Sequence, residues 1–401
     1  MNVPAMPSLP VGFKAAGVYS GVKRNSSKLD LGLIVSDVPC SAAGVYTTNL
    51  VYGAPIGWNR RLTPGTAVRG VVMNAGVANA CTGERGDRDA AEMARLAAET
   101  FKGTADQMLV LSTGVIGAFL PIEKIASGIA TAHGQLGTAE TNLEAAARSI
   151  MTTDTVPKLA GRRLTLSGKA VHVTGIAKGA AMIAPRMATM LAVVMTDAAL
   201  PAQVADRALR EAVDDSFHCI SVDGHMSTSD AVLLLANGCA CASPPNEDDL
   251  RELSTTISEV CQDLARAIPA DGEGATHLIT IDVQGAADTC AARQIARTVA
   301  ESPLVKTAVA GADPNWGRIV SAAGYANVTL DPHEVSLWIN DVLIYENGTP
   351  LPIDEAAVST SIRDNRETRV RLNVGQGSGT TRFWTTDLTA EYVRLNADYR
   401  T

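Results

Sequence analysis

The stretch KGAAMIAPRMATMLAVVMTDAAL, residues 178–200, is mostly apolar or small, yet it carries a hydroxyl at Thr189, between Ala188 and Met190. Threonine suits strands and its hydroxyl is easily satisfied by backbone, so residue type alone reads Thr189 as structural. A chemical role needs a base beside that hydroxyl. An N-terminal threonine carries its own, the α-amine, whose reference pKa of about 7.7–8.0 leaves part of it neutral at pH 7. Thr189 is internal, so this device requires scission of the Ala188–Thr189 bond, by attack of the Thr189 hydroxyl on the Ala188 carbonyl. The small Ala188 leaves that carbonyl accessible, and Pro185 stiffens the approach.

Acyl chemistry also needs donors for a developing oxyanion. In STGVIG, residues 112–117, Thr113 and Gly114 end a strand-like run where a hydroxyl and a backbone N–H can converge. The same residues suit an ordinary strand-to-helix turn. Lys178, held near Thr189, would depress the amine pKa or hold a substrate carboxylate; taken alone it reads as a solvated charge. The chain has no G-x-x-x-x-G-K-[ST], no H-E-x-x-H and no G-x-S-x-G, and its six histidines are dispersed. Phosphate-loop, zinc-hydrolase and serine-hydrolase chemistry lose weight, and neither a cofactor nor a metal is expected.

The elements that must position these groups are drawn from 401 residues, enough for two or three domains. Hydrophobic residues make up 46% but aromatics only 4%, so the core rests on Ala, Val, Ile, Leu and Met. A net charge of -8 with no basic run argues against nucleic acid or an anionic membrane as partner. No apolar run spans a bilayer, and the N-terminus lacks a signal-peptide pattern. Seven cysteines, odd in number and without C-x-x-C spacing, point to a reduced, cytoplasmic protein.

Hydrophobic periodicity predicts strands over 31–36, 44–48, 68–73, 108–111 and 190–195, and a hairpin over 163–174 turning at Gly168. Helices are expected over 86–101, 139–151, 201–213 and 246–268, the last with one apolar stripe and an acidic start. Beyond Gln284 the pattern changes: a helix over 287–300, a loop GADPNWGRI, then strands over 335–344 and 370–374. A domain boundary is placed near 285, with a catalytic domain over 1–285 and a smaller one over 286–401.

KGAAMIAPRMATML resembles the cleavage-site signature of the ornithine acetyltransferases, the bifunctional glutamate N-acetyltransferases of arginine biosynthesis, usually written KGSGMIAPNMATML. The likeness continues through GFKAAGVYSGVK, LIVSDVP, NACTGE, STGVIG, TTDT, VDG, LLLANG, SPLVKTA, GADPNWGRI and NADYRT. It implies an αββα sandwich with a smaller α/β C-terminal domain. It also implies self-cleavage before Thr189 into chains 1–188 and 189–401, which assemble as α2β2 or larger. Thr189 would take the acyl group of N-acetylornithine and pass it to glutamate without a cofactor. The family's oxyanion positions fall on Thr113 and Gly114, and its substrate contacts on Thr155, Lys178, Thr189, Glu273, Asn396 and Thr401.

This sequence departs from the family pattern around the same site. NSGNANA is NAGVANA, with Val77 for an amide; Arg186 replaces asparagine; VDGDTSTND is VDGHMSTSD, bringing His225, Met226 and Ser229; and KGSG is KGAA. The changes remove acidic and amide groups and add a guanidinium and an imidazole. Three alternatives therefore stay open at this point: another acylated amino acid as substrate, a hydrolase using the same acyl-enzyme, and a non-catalytic homologue.

Overall fold

The computed structural model describes residues 6–184, 190–241 and 246–398; Arg186, Ala188, Thr189 and Thr401 lie outside the described residues. Its architecture turns on the strand Leu31–Tyr46. Residues 31–35 of this strand pair with residues 70–74, and after a register slip residues 41–46 pair with residues 231–236. Two separate strands were expected here. The exposed Asp37, Val38 and Pro39 bulge outward instead, and one strand serves two halves of a sheet. The sheet order is Met108–Val115, Gly65–Val77, Leu31–Tyr46, Ala231–Cys241, Leu191–Ala198, Lys169–Lys178, Lys158–Leu166, with Phe13–Val18 alongside Leu31–Tyr46.

The two halves face each other. Ile34, Val71, Met73, Leu109 and Leu111 share one core with Ile176, Leu191, Val193, Met195 and Leu233. Their opposite faces carry the helices Gly83–Glu99 and Ile122–Gly134 on one side and Ala202–Asp214 and Glu247–Ala270 on the other. The layering is helix, sheet, sheet, helix: the expected αββα sandwich. Glu247–Ala270 forms because Leu253, Ile257, Val260, Leu264 and Ile268 make one buried stripe. Asn246 caps it by accepting the Asp249 N–H at 2.9 Å, and three acidic residues fill its first turn.

A second sheet runs in the order Thr349–Pro350, Val342–Glu346, Ser336–Ile339, Glu367–Asn373, Leu278–Ala286, Gly379–Thr386, Ile220–Ser221. Its apolar face, with Ile279, Ile281, Val283 and Leu372, packs beneath the helices Thr289–Glu301 and Trp316–Gly324. The latter begins inside GADPNWGRI, expected as a loop. Asn315 accepts the Arg318 N–H at 3.2 Å and so starts a helix there. The boundary placed at 285 falls near the end of Leu278–Ala286, an inner strand of this second sheet, which also recruits Ile220–Ser221 from far upstream. Among the described residues no helix is long and apolar enough to cross a membrane.

A core poor in aromatics lets backbones approach closely. Phe13–Val18 lies directly against the helix Glu140–Ser149, and a Cβ on Gly17 would stand 2.0 Å from the Ala145 carbonyl oxygen. Gly17→Ala is therefore expected to destabilise the fold by about 1–3 kcal/mol. The measurement is a lower urea midpoint at unchanged slope.

Candidate active site

The strand Met108–Val115 runs parallel to Gly65–Val77, setting Thr113 and Gly114 level with Ala75 and Gly76. Gly114 has φ +127°, a region that favours glycine, and a Cβ there would meet the Gly76 carbonyl carbon at 2.3 Å. Glycine is thus demanded twice over. Thr113 is buried, and its Oγ1 accepts from Lys178 Nζ at 3.3 Å. A donor on that oxygen leaves the threonine's own proton to point elsewhere.

Lys178 ends the hairpin strand Lys169–Lys178 and is fully buried. Burial lowers its pKa, and Asp154 opposes that shift. Burial would raise the Asp154 carboxyl, but the charges of Lys178 and Lys158 and hydrogen bonds from Lys158 and Gly179 bring it down to about 2. Asp154 Oδ1 accepts from Lys158 Nζ at 2.8 Å and from the Gly179 N–H at 2.6 Å, and Oδ2 accepts the Thr152 N–H at 3.0 Å. Lys158 reaches on to Asp271 at 2.6 Å. Asp271 also takes the Thr155 hydroxyl and, at 3.0 Å, its N–H.

Two residues after Asp271, the Glu273 N–H donates to the Ala180 carbonyl at 2.9 Å. Its Oε2 accepts the Asn396 amide at 2.8 Å from the C-terminal helix Ala390–Asp398. Tyr392 of the same helix donates its hydroxyl to Asp223 Oδ2 at 3.2 Å. These contacts enclose a cavity of about 270 Å³ lined by Thr113, Gly114, Lys178, Glu273 and Asn396, together with Thr152, Thr153, Asp223, His225, Ser229 and Tyr392.

Five of the residues singled out in the sequence thus converge. Thr155 does not join them, because its hydroxyl turns to Asp271. Of the departures, Ala181 of KGAA, His225 and Ser229 face the cavity. Val77 is absent from the lining, where its neighbour Ala78 stands, and the Met226 sulfur takes the Thr48 hydroxyl at 3.6 Å. No group of acids, histidines and cysteines among the described residues is arranged to hold a metal ion.

The model of the ArgJ family matches residues 14–401. The chain belongs to the ArgJ family. It is 46% identical over 396 residues to the arginine biosynthesis bifunctional protein ArgJ of Rhodopirellula baltica, covering 98% of this chain and 96% of that protein. It is 47% identical over 399 residues to the protein of that name from Symbiobacterium thermophilum, covering 98% of each. Among solved structures, the arginine biosynthesis bifunctional protein argJ of Bacillus halodurans is 34% identical, with a TM-score of 0.50. That match covers 51% of this chain and 96% of the solved one.

Within this ArgJ-family site, sequence reasoning passed over Asp154, Lys158, Asp223 and Tyr392. Asp154 and Asp223 stand in TTDT and VDG, but only their hydrogen bonds in the fold reveal what they hold together. Asp154→Asn removes the carboxylate charge that faces both buried ammonium groups and is expected to cost about 3–5 kcal/mol. Because the folded-state pKa of Asp154 lies below its ordinary 3.8, its contribution is present above that value and lost as the pH falls toward about 2. Melting temperatures between pH 5 and 2 should therefore fall more steeply in the wild type than in Asp154→Asn. Parallel curves would remove Asp154 as the counter-charge.

Proposed function

We propose that the chain cuts itself between Ala188 and Thr189, and that Thr189 then carries an acetyl group from N-acetyl-L-ornithine to L-glutamate. The observation that carries this reading is the convergence of Thr113, Gly114, Lys178, Glu273 and Asn396 on one cavity. Family membership and the names of the relatives point to the same activity. The solved Bacillus halodurans chain also supports scission: almost all of it aligns, yet it covers only about half of this one.

In the scheme, the neutral α-amine of Thr189 takes the proton of the Thr189 hydroxyl as the oxygen attacks the acetyl carbon. The Thr113 hydroxyl and the Gly114 N–H receive the oxyanion, with Lys178 at 3.3 Å orienting the former. Collapse expels the ornithine amine, which leaves with the proton, and the acetyl group stays as an ester on Thr189. The glutamate amine attacks that ester in the second half, returning the hydroxyl. Glu273 offers a carboxylate to the substrate ammonium, and Lys178 and His225 face its carboxylate. No cofactor enters, and the enzyme works in the cytoplasm.

Scission would not part the pieces. Leu191–Ala198 and Ala231–Cys241, which follow the cut, lie in the sheet between Lys169–Lys178 and Leu31–Tyr46, which precede it. The two chains therefore stay associated, and we place them in an α2β2 or larger assembly.

Intact mass of the purified protein is expected to give one piece ending at Ala188 and one beginning at Thr189, with Thr189→Ala remaining whole and inactive. N-acetylornithine alone should acetylate the second piece, and glutamate should discharge it. Thr113→Val is expected to slow transfer about 10²–10³-fold. Ornithine release at the same rate with and without glutamate would make water the acceptor and sink transfer.

A further inference from the structure

One segment, residues 221–231, a loop with a strand residue at each end, holds the described backbone on both sides of the Ala188–Thr189 bond. Upstream, the Ile183 carbonyl accepts N–H groups from Val222 at 2.8 Å, Asp223 at 3.3 Å and Gly224 at 3.2 Å, and the Ser221 hydroxyl at 3.1 Å. In return the Asp223 carboxylate accepts the N–H of Met182 at 2.6 Å and of Ile183 at 2.9 Å. Downstream, the Met190 N–H donates to Asp230 Oδ1 at 2.9 Å, and the Met190 carbonyl accepts the Ala231 N–H at 3.2 Å. The loop is itself fixed, since Thr47 N–H donates to the Asp230 carbonyl at 3.0 Å and Lys306 Nζ donates to the Val222 carbonyl.

Asp230 is fully buried, and its Oδ2 has no hydrogen-bond partner among the described residues. Burial pushes this carboxyl well above the ordinary range, against the pull of the Met190 N–H, Lys178, the Thr47 side chain and the Ser227 backbone. The satisfied oxygen of Asp230 holds the amide of the residue that follows the nucleophile.

We infer that Asp230 is a positioning residue for self-cleavage: by gripping the Met190 amide, while Asp223 grips residues 182 and 183, it sets where the Thr189 hydroxyl stands relative to the Ala188 carbonyl. The inference rests on the scission proposed above. In that reaction the acyl bond of Ala188 passes from the Thr189 nitrogen to the Thr189 oxygen, and the hydroxyl proton goes to the departing nitrogen. Water then hydrolyses the ester, leaving the Ala188 carboxylate and the free Thr189 hydroxyl. Asp230 forms no bond in either step. Its part is to restrict the approach, on which such intramolecular attack depends.

Two variants of the full chain test this, each purified promptly and followed by intact mass beside the wild type. Asp230→Leu keeps the side chain's branched outline and removes the acceptor; Asp230→Asn keeps an acceptor oxygen. Scission is expected about a hundredfold slower in Asp230→Leu and within about tenfold of wild type in Asp230→Asn, with similar melting temperatures for the uncleaved forms. Equal rates in Asp230→Leu and wild type overturn the inference and leave the proposed function standing. Asp230→Asn as slow as Asp230→Leu also overturns it, because the acceptor would then not be what matters. Should Asp230→Leu fail to fold, Asp230→Ala replaces it under the same criteria. A wild-type chain that never cuts instead removes the proposed function, and all variants then stay whole.

Discussion

Lys158 and Lys178 are both buried, and the carboxylate of Asp154 faces the charge of both, with Asp271 a second carboxylate for Lys158. Stripping water from an ammonium group costs several kcal/mol, and the penalty is met only with good geometry and further hydrogen bonds. Asp154 supplies them, taking Lys158, the Gly179 N–H and the Thr152 N–H on its two oxygens. This requirement joins the TTDT turn to the end of the hairpin strand. Through Lys158 it also captures Asp271, at the end of the long helix Glu247–Ala270. Glu273 follows two residues later and is thereby delivered to the cavity wall. Lys178, held on the other side, stands against Thr113. The relative placement of Thr113, Lys178 and Glu273 follows from keeping these buried charges paired out of water.

The second sheet is part of this arrangement, not an appendage. Ile220–Ser221 leaves the first sandwich to lie beside Gly379–Thr386, so the loop that follows is suspended between the two bodies. Lys306 and Tyr392, both from the C-terminal part, hold that loop at Val222 and Asp223. Burial lowers the Lys306 pKa to about 8, with Asp223, Asp387 and Glu301 opposing the shift. Asn396 completes the wall from a helix none of whose side chains is fully buried, and its amide is tied to Glu273.

What could be read from the sequence was whatever is written locally. The stripe of Leu253, Ile257, Val260 and Leu264 announced its helix, and Ser167-Gly168, both at positive φ, form the turn expected at Gly168. Thr113, Gly114, Lys178 and Asn396 could be singled out because each sits in a short ordered motif, and Glu273 only through the family resemblance. The long strand Leu31–Tyr46 was not, because polar SDVPC reads as an interruption unless one knows that different strands await on either side. Ile122–Gly134 was missed because its buried face mixes Ile125 and Ile129 with Gly128 and Ala132, a weak apolar signal. The roles of Asp154, Asp223 and Thr155 were hidden for a common reason. Thr155 and Asp223 are decided by partners remote in the chain, as with Thr155 and Asp271, 116 residues apart, and Asp154 in part by Gly179, 25 residues on; local pattern carries no trace of such meetings.

The strand order has a bearing on how the protein is made. Leu31–Tyr46 emerges early from the ribosome, but its neighbour Ala231–Cys241 is some two hundred residues behind it. Until that neighbour arrives, residues 41–46 present unsatisfied amide and carbonyl groups along an open edge, the kind of surface to which other nascent chains adhere. Pairings so distant also close slowly. Yield in a foreign host should accordingly be governed by translation speed and chaperone supply during the first half of synthesis, more than by the stability of the finished molecule.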